Sequence, residues 1–418
     1  MAVKYFSKPV FIATLICIVF FYLNKEIILK DENVISLVNP GGITLIQGKI
    51  TSSPSKTSNG KYYSCSFIPS CVTSEKGLQS SASGKMKIYI PSKIVEAYFP
   101  GKLFSSAKKD GAYIFEKGGN YTFTGKNLSN GFYADTCESC FWDNTITGKC
   151  SYIRALCRLH FKRLMYGWGK GGGLLLSLLS GAREYTTTET ATAFKNAGLS
   201  HILALSGMHL SMFSAIAMFL GKKIGRKKLS FIIRIIALVL FVWFAGFSPS
   251  LLRAFICAMM MILAAIAGVQ QPDMIMVLCF SFLFQSVLCP EDIYNVGFML
   301  SYGALAGILL TGRFFYMIFV KIIPSNLSSS LSSSVGAQIF TAPITLKLFG
   351  TFCPTGIIAT TVVSPLITIF IYSGLLLIIL TMICPVLQTA SGIFINLQYN
   401  VINSIVIFFS HGPIWSLN

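Results

Sequence analysis

Apolar runs of membrane-spanning length recur through the second half of this chain, and few folds accept them. Blocks 202–220, 231–247, 251–268, 274–288, 293–310, 335–350, 356–383 and 393–409 carry at most one charged residue each. A bilayer's hydrocarbon core is about 30 Å thick and takes roughly 20 apolar residues of helix. Inside it every backbone polar group must be satisfied within the protein, so such blocks fold as helices. A soluble chain with one very large core is excluded by charge. Only 12% of the 418 residues are charged, where about 25% is usual, and 34 are Phe. The pattern predicts a polytopic α-helical membrane protein with seven to nine hydrophobic helices. The shorter blocks, and those broken by Pro343 or Pro365, belong where backbone faces protein or a water-filled cavity.

One of these blocks carries polar chemistry at its start. In 198-GLSHILALSGMHLSMFSAIAMFLGKKIG-225, Ser206 and His209 stand three apart and so share a helix face, with Gly207 between them. Three readings follow: a pair that bonds a neighbouring helix, a nucleophile with its base, or the lining of a hydrated passage. No carboxylate in that helix would orient the imidazole, and four His are too few for a binuclear His/Asp hydrolase. No catalytic residue, metal site or cofactor is expected. The basic cluster Lys222, Lys223, Arg226, Lys227 and Lys228 closes the block and marks a cytoplasmic end. Arg253, just after Ser248, Pro249 and Ser250, then falls near the outer mouth. Ser301 and Gln338 add polar atoms to later helices. Polar groups at such depth meet protein or water, which favours a wet interior lined by Ser206, His209, Arg253, Ser301 and Gln338.

The N-terminal part has another character. Residues 10–23 are apolar and follow Lys4 and Lys8, which predicts a retained anchor over 1–30 with its N-terminus in the cytoplasm. Residues 31–150 are rich in Gly, Ser, Thr and Lys. They contain short period-two stretches such as 85-KMKIYI-90, the mark of half-buried strands in a small barrel or sandwich. The segment 70–85 reads as a long hairpin loop. This region has 13 Lys, no Arg and 9 Asp plus Glu, a surplus suited to nucleic acid or to a solvated face. Cys65, Cys71, Cys137, Cys140 and Cys150 lie in it, a density that predicts disulfides outside the cytoplasm. One bridge is expected from the 137–150 loop to the strand near Cys65. Residues 151–169 place Arg154, Arg158, Lys162 and Arg163 opposite an apolar face, as in an amphipathic helix on the headgroups or one packed on the barrel. The short block 171–181 reads as re-entrant or buried.

The pieces in order resemble the ComEC-type family of competence DNA-uptake channels. The motif 198-GLSHILALSGMHLSM-212 is similar to the family's Gly-Leu-x-His-x-Leu-Ala-x-Ser-Gly-x-His signature. The stretches 181-GARE-184, 249-PSLLRAFICAMM-260, 290-PEDIYNVGFMLSYGALAGI-308, 337-AQIFTAPITLKLFG-350 and 364-SP-365 follow in family order. The resemblance implies an extracytoplasmic OB-like β domain over 31–150, interfacial and re-entrant helices over 151–200, and a transmembrane channel over 201–418. It adds Arg183 and His201 to the channel-lining or DNA-contacting residues. It implies passage of single-stranded DNA across the cytoplasmic (inner) membrane during transformation, with membrane lipid around it and a DNA receptor outside. No His-x-His-x-Asp-His run and no Gly-x-x-x-x-Gly-Lys-Ser/Thr loop occurs, so a separate ATPase motor is expected and any nuclease is either a separate protein or absent. A permease for a small solute or lipid-linked substrate, or a membrane scaffold, is the alternative.

Overall fold

The computed structural model describes residues 8–24, 42–57, 59–97, 113–128, 130–223 and 227–416. The chain forms two compact units, one of Lys30–Leu176 with Ala182–Tyr185, the other of Met1–Leu29, Ser177–Gly181 and Thr186–Asn418. An apolar helix, α1 (Pro9–Leu23), belongs to the second unit.

The first unit is built on a sheet of β1 (Ile43–Ile50), β2 (Ser55–Lys56), β3 (Tyr62–Ser74), β4 (Gln79–Ser81), β5 (Met86–Pro91), β6 (Asn120–Leu128) and β7 (Gly131–Phe141), with a short α2 (Ser92–Glu96) after β5. Pairing runs β1–β6–β7–β5–β3, and β3 also pairs with β1; β5 and β7 are parallel and the other neighbours antiparallel. Period-two alternation decides which side chains enter the core. Tyr63, Phe67, Ile88, Ile90 and Phe132 point in, and Tyr62, Ser64, Lys87, Tyr89 and Tyr133 alternate with them on the outer face. The segment expected as a long loop is shorter than that. β3 continues to Ser74, turns, and β4 pairs back through Val72 with Ser80.

Helix α3 (Ile146–Gly167) starts at Thr145, whose hydroxyl accepts the Gly148 N–H. Its cationic face does not point outward as a headgroup helix would require. Arg158, Lys162 and Arg163 are only 3%, 6% and 4% exposed. The Arg158 Nε donates to Glu116 Oε1 at 2.9 Å, and Lys162 Nζ lies 3.0 Å from Glu184 Oε1 and 3.4 Å from Glu116 Oε1. The Ser53 hydroxyl donates to the other Glu116 oxygen at 2.9 Å. Burial pushes the Glu116 carboxyl up, but Arg158, Lys162 and Arg154 outweigh it and hold the group at about 2. The apolar α4 (Gly169–Ser180) follows, its leucines 174–176, 178 and 179 buried.

The second unit is helical. It contains α5 (Thr188–Asn196), α6 (Ser200–Leu203), α7 (Gly207–Lys223), α8 (Lys227–Ala245), α9 (Pro249–Ile266), α10 (Met274–Leu288), α11 (Val296–Phe319), α12 (Ser325–Phe349), α13 (Gly356–Ile383) and α14 (Gln388–Ser410). A two-residue β8 (Thr351–Phe352) pairs with β9 (Trp415–Ser416). Five spans, Lys228–Ala245, Pro249–Ile266, Val296–Phe319, Gly356–Ile383 and Pro385–Ser410, are long and apolar enough to cross a membrane. Helices α1, α7 and α10 are apolar but shorter. α5 stops where Gly198 takes φ +72°, a left-handed conformation that glycine adopts without strain. Helix α1 runs parallel to α10: Lys8 pairs with Asp273 at 3.0 Å at one end, and Tyr294 donates to the Phe21 carbonyl at 2.7 Å at the other.

The serine run 325–334, which reads as a loop, is the first turns of α12. Its hydroxyls fold back on the helix: Ser328 donates to Pro324 O, and Ser332 and Ser333 to Ser329 O. Serines satisfied in this way leave the backbone ladder intact. Further along, α12 lies against α11 with Gly307 and Gly336 facing each other. A Cβ on Gly307 would overlap the Gly336 carbonyl oxygen.

Candidate functional site

Ser206 is the N-cap of α7 and His209 its third residue. The imidazole turns back, and its Nδ1 accepts the Ser206 N–H at 3.2 Å with the Ser206 Oγ also at 3.2 Å. This is one half of a capping box, with histidine in the place that glutamate or glutamine usually takes. Because Nδ1 accepts a backbone N–H, the ring proton of the neutral form sits on Nε2. His209 is 0% exposed and its Nε2 has no hydrogen-bond partner.

Arg253 stands one turn into α9 and reaches the same corner. A Cβ on Gly207 would lie 3.5 Å from its Nη2 and 3.4 Å from the Ala254 Cβ. Its Nη1 donates to the Ser301 carbonyl at 3.1 Å, and the guanidinium lies 5.8 Å above the Tyr302 ring. Its Nε is buried and unpartnered. Ser301 therefore contributes its backbone to the cluster. Behind it, the Tyr302 hydroxyl lies within donating distance of Gln285 Oε1 (3.2 Å) and Ser281 Oγ (3.3 Å). Gln285 Nε2 in turn donates to Asp292 Oδ2 at 3.1 Å and to the Pro249 carbonyl at 3.2 Å. The Ser250 hydroxyl donates to Gly297 O at 2.9 Å and ties the starts of α9 and α11 together.

Ser206, Gly207, His209, Arg253 and Ser301 thus come together at the helix starts. Gln338 does not join them. Its Nε2 stands 3.0 Å from where a Cβ on Gly356 would be, and its Oε1 is buried without a partner. His201 is exposed on the one-turn α6, and Arg183 is exposed in the β unit. Sequence reasoning missed Tyr302 and Asp292. The signal was there in a tyrosine inside an apolar block, since a buried phenol needs a partner. Replacing Tyr302 by Phe leaves Gln285 Oε1 without its donor. The expected loss is about 1–3 kcal/mol, read as a lowered melting temperature of the detergent-solubilised chain.

The expected disulfide is not formed; all twelve cysteines are free thiols. Cys65 is sealed in the core on β3, while Cys137 and Cys140 lie on β7, with β5 between those strands. Two strand spacings are about 10 Å, beyond the roughly 4.4–6.8 Å Cα separation of a disulfide. Cys150 is exposed on α3. Burial pushes the Cys65 thiol up to about 12 and, with Cys140 beside it, Cys137 to about 12. Among the described residues no group of three or more His, Cys, Asp or Glu could hold a metal ion.

Fold and cluster together define a multi-pass helical membrane protein with a β-sheet unit near its N-terminus and a buried polar corner among apolar helices. The chain belongs to the Competence protein family, which it matches over residues 178–418. It is 26% identical over 204 residues to the ComE operon protein 3 of Bacillus subtilis (strain 168), covering 48% of this chain and 25% of that protein. It is 26% identical over 240 residues to an uncharacterized protein of Aquifex aeolicus (strain VF5), covering 56% of this chain and 53% of that protein. The match thus spans about a quarter and about half of these relatives. No solved structure matches.

Proposed function

We propose that the chain is a channel that passes single-stranded DNA across the cytoplasmic membrane during natural transformation. Family membership supports a competence role, and the apolar helices support a membrane setting. The observation that carries the choice of polymer is a tyrosine cluster on the outer face of the sheet. Tyr89 and Tyr133 stack with centroids 4.5 Å apart, and Tyr62 meets Tyr133 edge-on at 5.4 Å. Lys87 is two residues from Tyr89 on the same strand face, and Lys126 pairs across from Tyr133; both lysines are exposed. Asp135 stands two residues beyond Tyr133. Aromatic rings flanked by cations bind unpaired bases and their phosphates without sequence preference.

In this reading residues 31–150 are an OB-like barrel on the outer side. The circular pairing of β1, β6, β7, β5 and β3, with one parallel pair, supports it. Residues 1–30 anchor it, 151–200 supply the connecting helices with α4 as a re-entrant segment, and 201–418 form the channel. The sequence cluster at 222–228 favours a cytoplasmic end for α7. The strand passes Ser206, Gly207, His209, Arg253 and Ser301, with Gln338, Arg183 and His201 as further contacts. A receptor outside and an ATPase motor are the chain's partners.

The test is binding of a fluorescent oligodeoxythymidine to the full chain in nanodiscs. Tyr89→Ala is expected to weaken binding about tenfold, the worth of one stacked base. Lys87→Gln with Lys126→Gln is expected to flatten the salt dependence by ~1.4, about 0.7 per phosphate contact. If neither change alters binding, the nucleic-acid reading gives way to a scaffold.

A further inference from the structure

The start of α7 offers more hydrogen-bond donors than the protein uses. A helix leaves its first-turn amides without intrahelical acceptors, and here one side chain from the same helix and one from α9, both reaching the helix start, each keep a buried donor without a partner. His209, wholly buried, has spent Nδ1 on the Ser206 N–H and keeps an unpartnered Nε2–H. Arg253 has spent Nη1 on Ser301 O and keeps an unpartnered Nε–H, while its Nη2 stands beside Gly207. No carboxylate pairs with this guanidinium among the described residues. Asp292 is held by Gln285, which also lies within reach of the Tyr302 hydroxyl. A cation set among apolar helices without a counter-ion calls for an anion. Glycine at 207 lets the Arg253 edge come close to the helix start, since a Cβ there would already touch Nη2, and Gly207 and Arg253 stay partly exposed, so the corner can be entered.

We propose that this corner seats one phosphodiester monoanion, held by His209 Nε2–H, Arg253 Nε–H and the first amides of α7. The helix end itself favours negative charge. Donors approach from two side chains and a helix terminus. A tetrahedral phosphate presents oxygens in that many directions, whereas a planar carboxylate presents two. Assigning the ligand to a DNA strand rests on the channel reading above; a lipid headgroup supplies the same chemistry. A single seat would hold a passing strand one phosphate at a time.

The test uses the full chain in galactolipid nanodiscs, which contain no phosphorus, titrated with inorganic phosphate and followed by phosphorus NMR. Arg253→Gln is expected to lower affinity at least about tenfold, as loss of a charge-assisted bond does. His209→Asn keeps an oxygen for the Ser206 N–H but removes the ring donor, and about three- to tenfold loss is expected. Gly207→Ala places a methyl in ordinary contact with Ala254 and Arg253, so the fold holds while the methyl screens the Arg253 edge from the helix start, and affinity falls several-fold. Unchanged phosphate binding in His209→Asn and Gly207→Ala, with unchanged melting, overturns the seat whatever Arg253→Gln does. Displacement of phosphate by oligodeoxythymidine, but not by its uncharged methylphosphonate counterpart, supports the strand. Displacement by soluble phosphatidylglycerol alone overturns the strand and leaves a headgroup site. Intact phosphate binding in a chain that restores no DNA uptake to a deletion strain sinks the channel reading and not the seat.

Discussion

Replacing Gly307 by alanine is expected to remove most folded protein from the membrane fraction. The added Cβ would overlap the carbonyl oxygen of Gly336 on the facing helix, and its second neighbour is the carbon of that same carbonyl. Both are backbone, so no side chain can swing aside. Helices α11 and α12 would have to part, and in lipid their association rests on close packing rather than on a hydrophobic drive between them. Overpacking costs about 1–3 kcal/mol even where side chains can adjust, and a clash with backbone lies at or above the upper end. Gly336→Ala is the graded control. There the nearest atoms are Thr311 Oγ1 at 3.0 Å and Gly307 O at 3.1 Å, tight but not overlapping. Thr311 Oγ1 already donates to Gly307 O at 2.8 Å, so some readjustment is open to it. The yield of monodisperse protein on gel filtration and its melting temperature should fall in the order parent, Gly336→Ala, Gly307→Ala. A Gly307→Ala protein that melts with the parent would mean the two helices do not approach at this point.

The bundle was legible because lipid leaves an apolar run few alternatives to a helix. The Ser206–His209 pair was legible because three-residue spacing puts both on one face, although its role as a helix cap needed coordinates. Arg253 was legible as a lone cation in an apolar block. Its partners were not: Ser301 meets it through a carbonyl, which any residue type would offer, so the serine side chain was a misleading clue. The serine run before 335 misled for the opposite reason. Hydroxyls suggest solvent, yet they can bond the preceding turn and stay in a helix. The outer tyrosines 62, 89 and 133 sit on three different strands, and only strand order brings their rings together. The same holds for the cationic face of α3. Spacing showed the cations on one face, but the carboxylates that turn it inward, Glu116 and Glu184, come from 42 residues before Arg158 and 22 after Lys162.

That buried network sets the second large effect. Glu116→Gln keeps shape but removes the charge shared by Arg158 and Lys162, which are 4% and 7% exposed at their side chains. Glu184 then remains as the anion bonded to Lys162. Breaking a buried pair by deleting one partner costs about 3–5 kcal/mol, because the other charge stays desolvated. The parent should also show a distinct acid limb. Glu116 titrates near 2 in the folded chain against 4.5 ordinarily. Between those values the unfolded chain binds the proton and the folded chain does not, so stability falls as pH falls. The contribution is complete above about 4.5 and gone below about 2, a span of about 3 kcal/mol at 1.36 kcal/mol per pH unit. Urea unfolding of the full chain, followed by its tryptophan fluorescence, should show that limb in the parent. In Glu116→Gln the limb should be flat and the whole curve lower. A variant that is lower at pH 7 but keeps the same acid limb would place the titrating group elsewhere. A variant equal to the parent at pH 7 would mean that the network compensates its own desolvation and that α3 is held to the sheet by its apolar face alone.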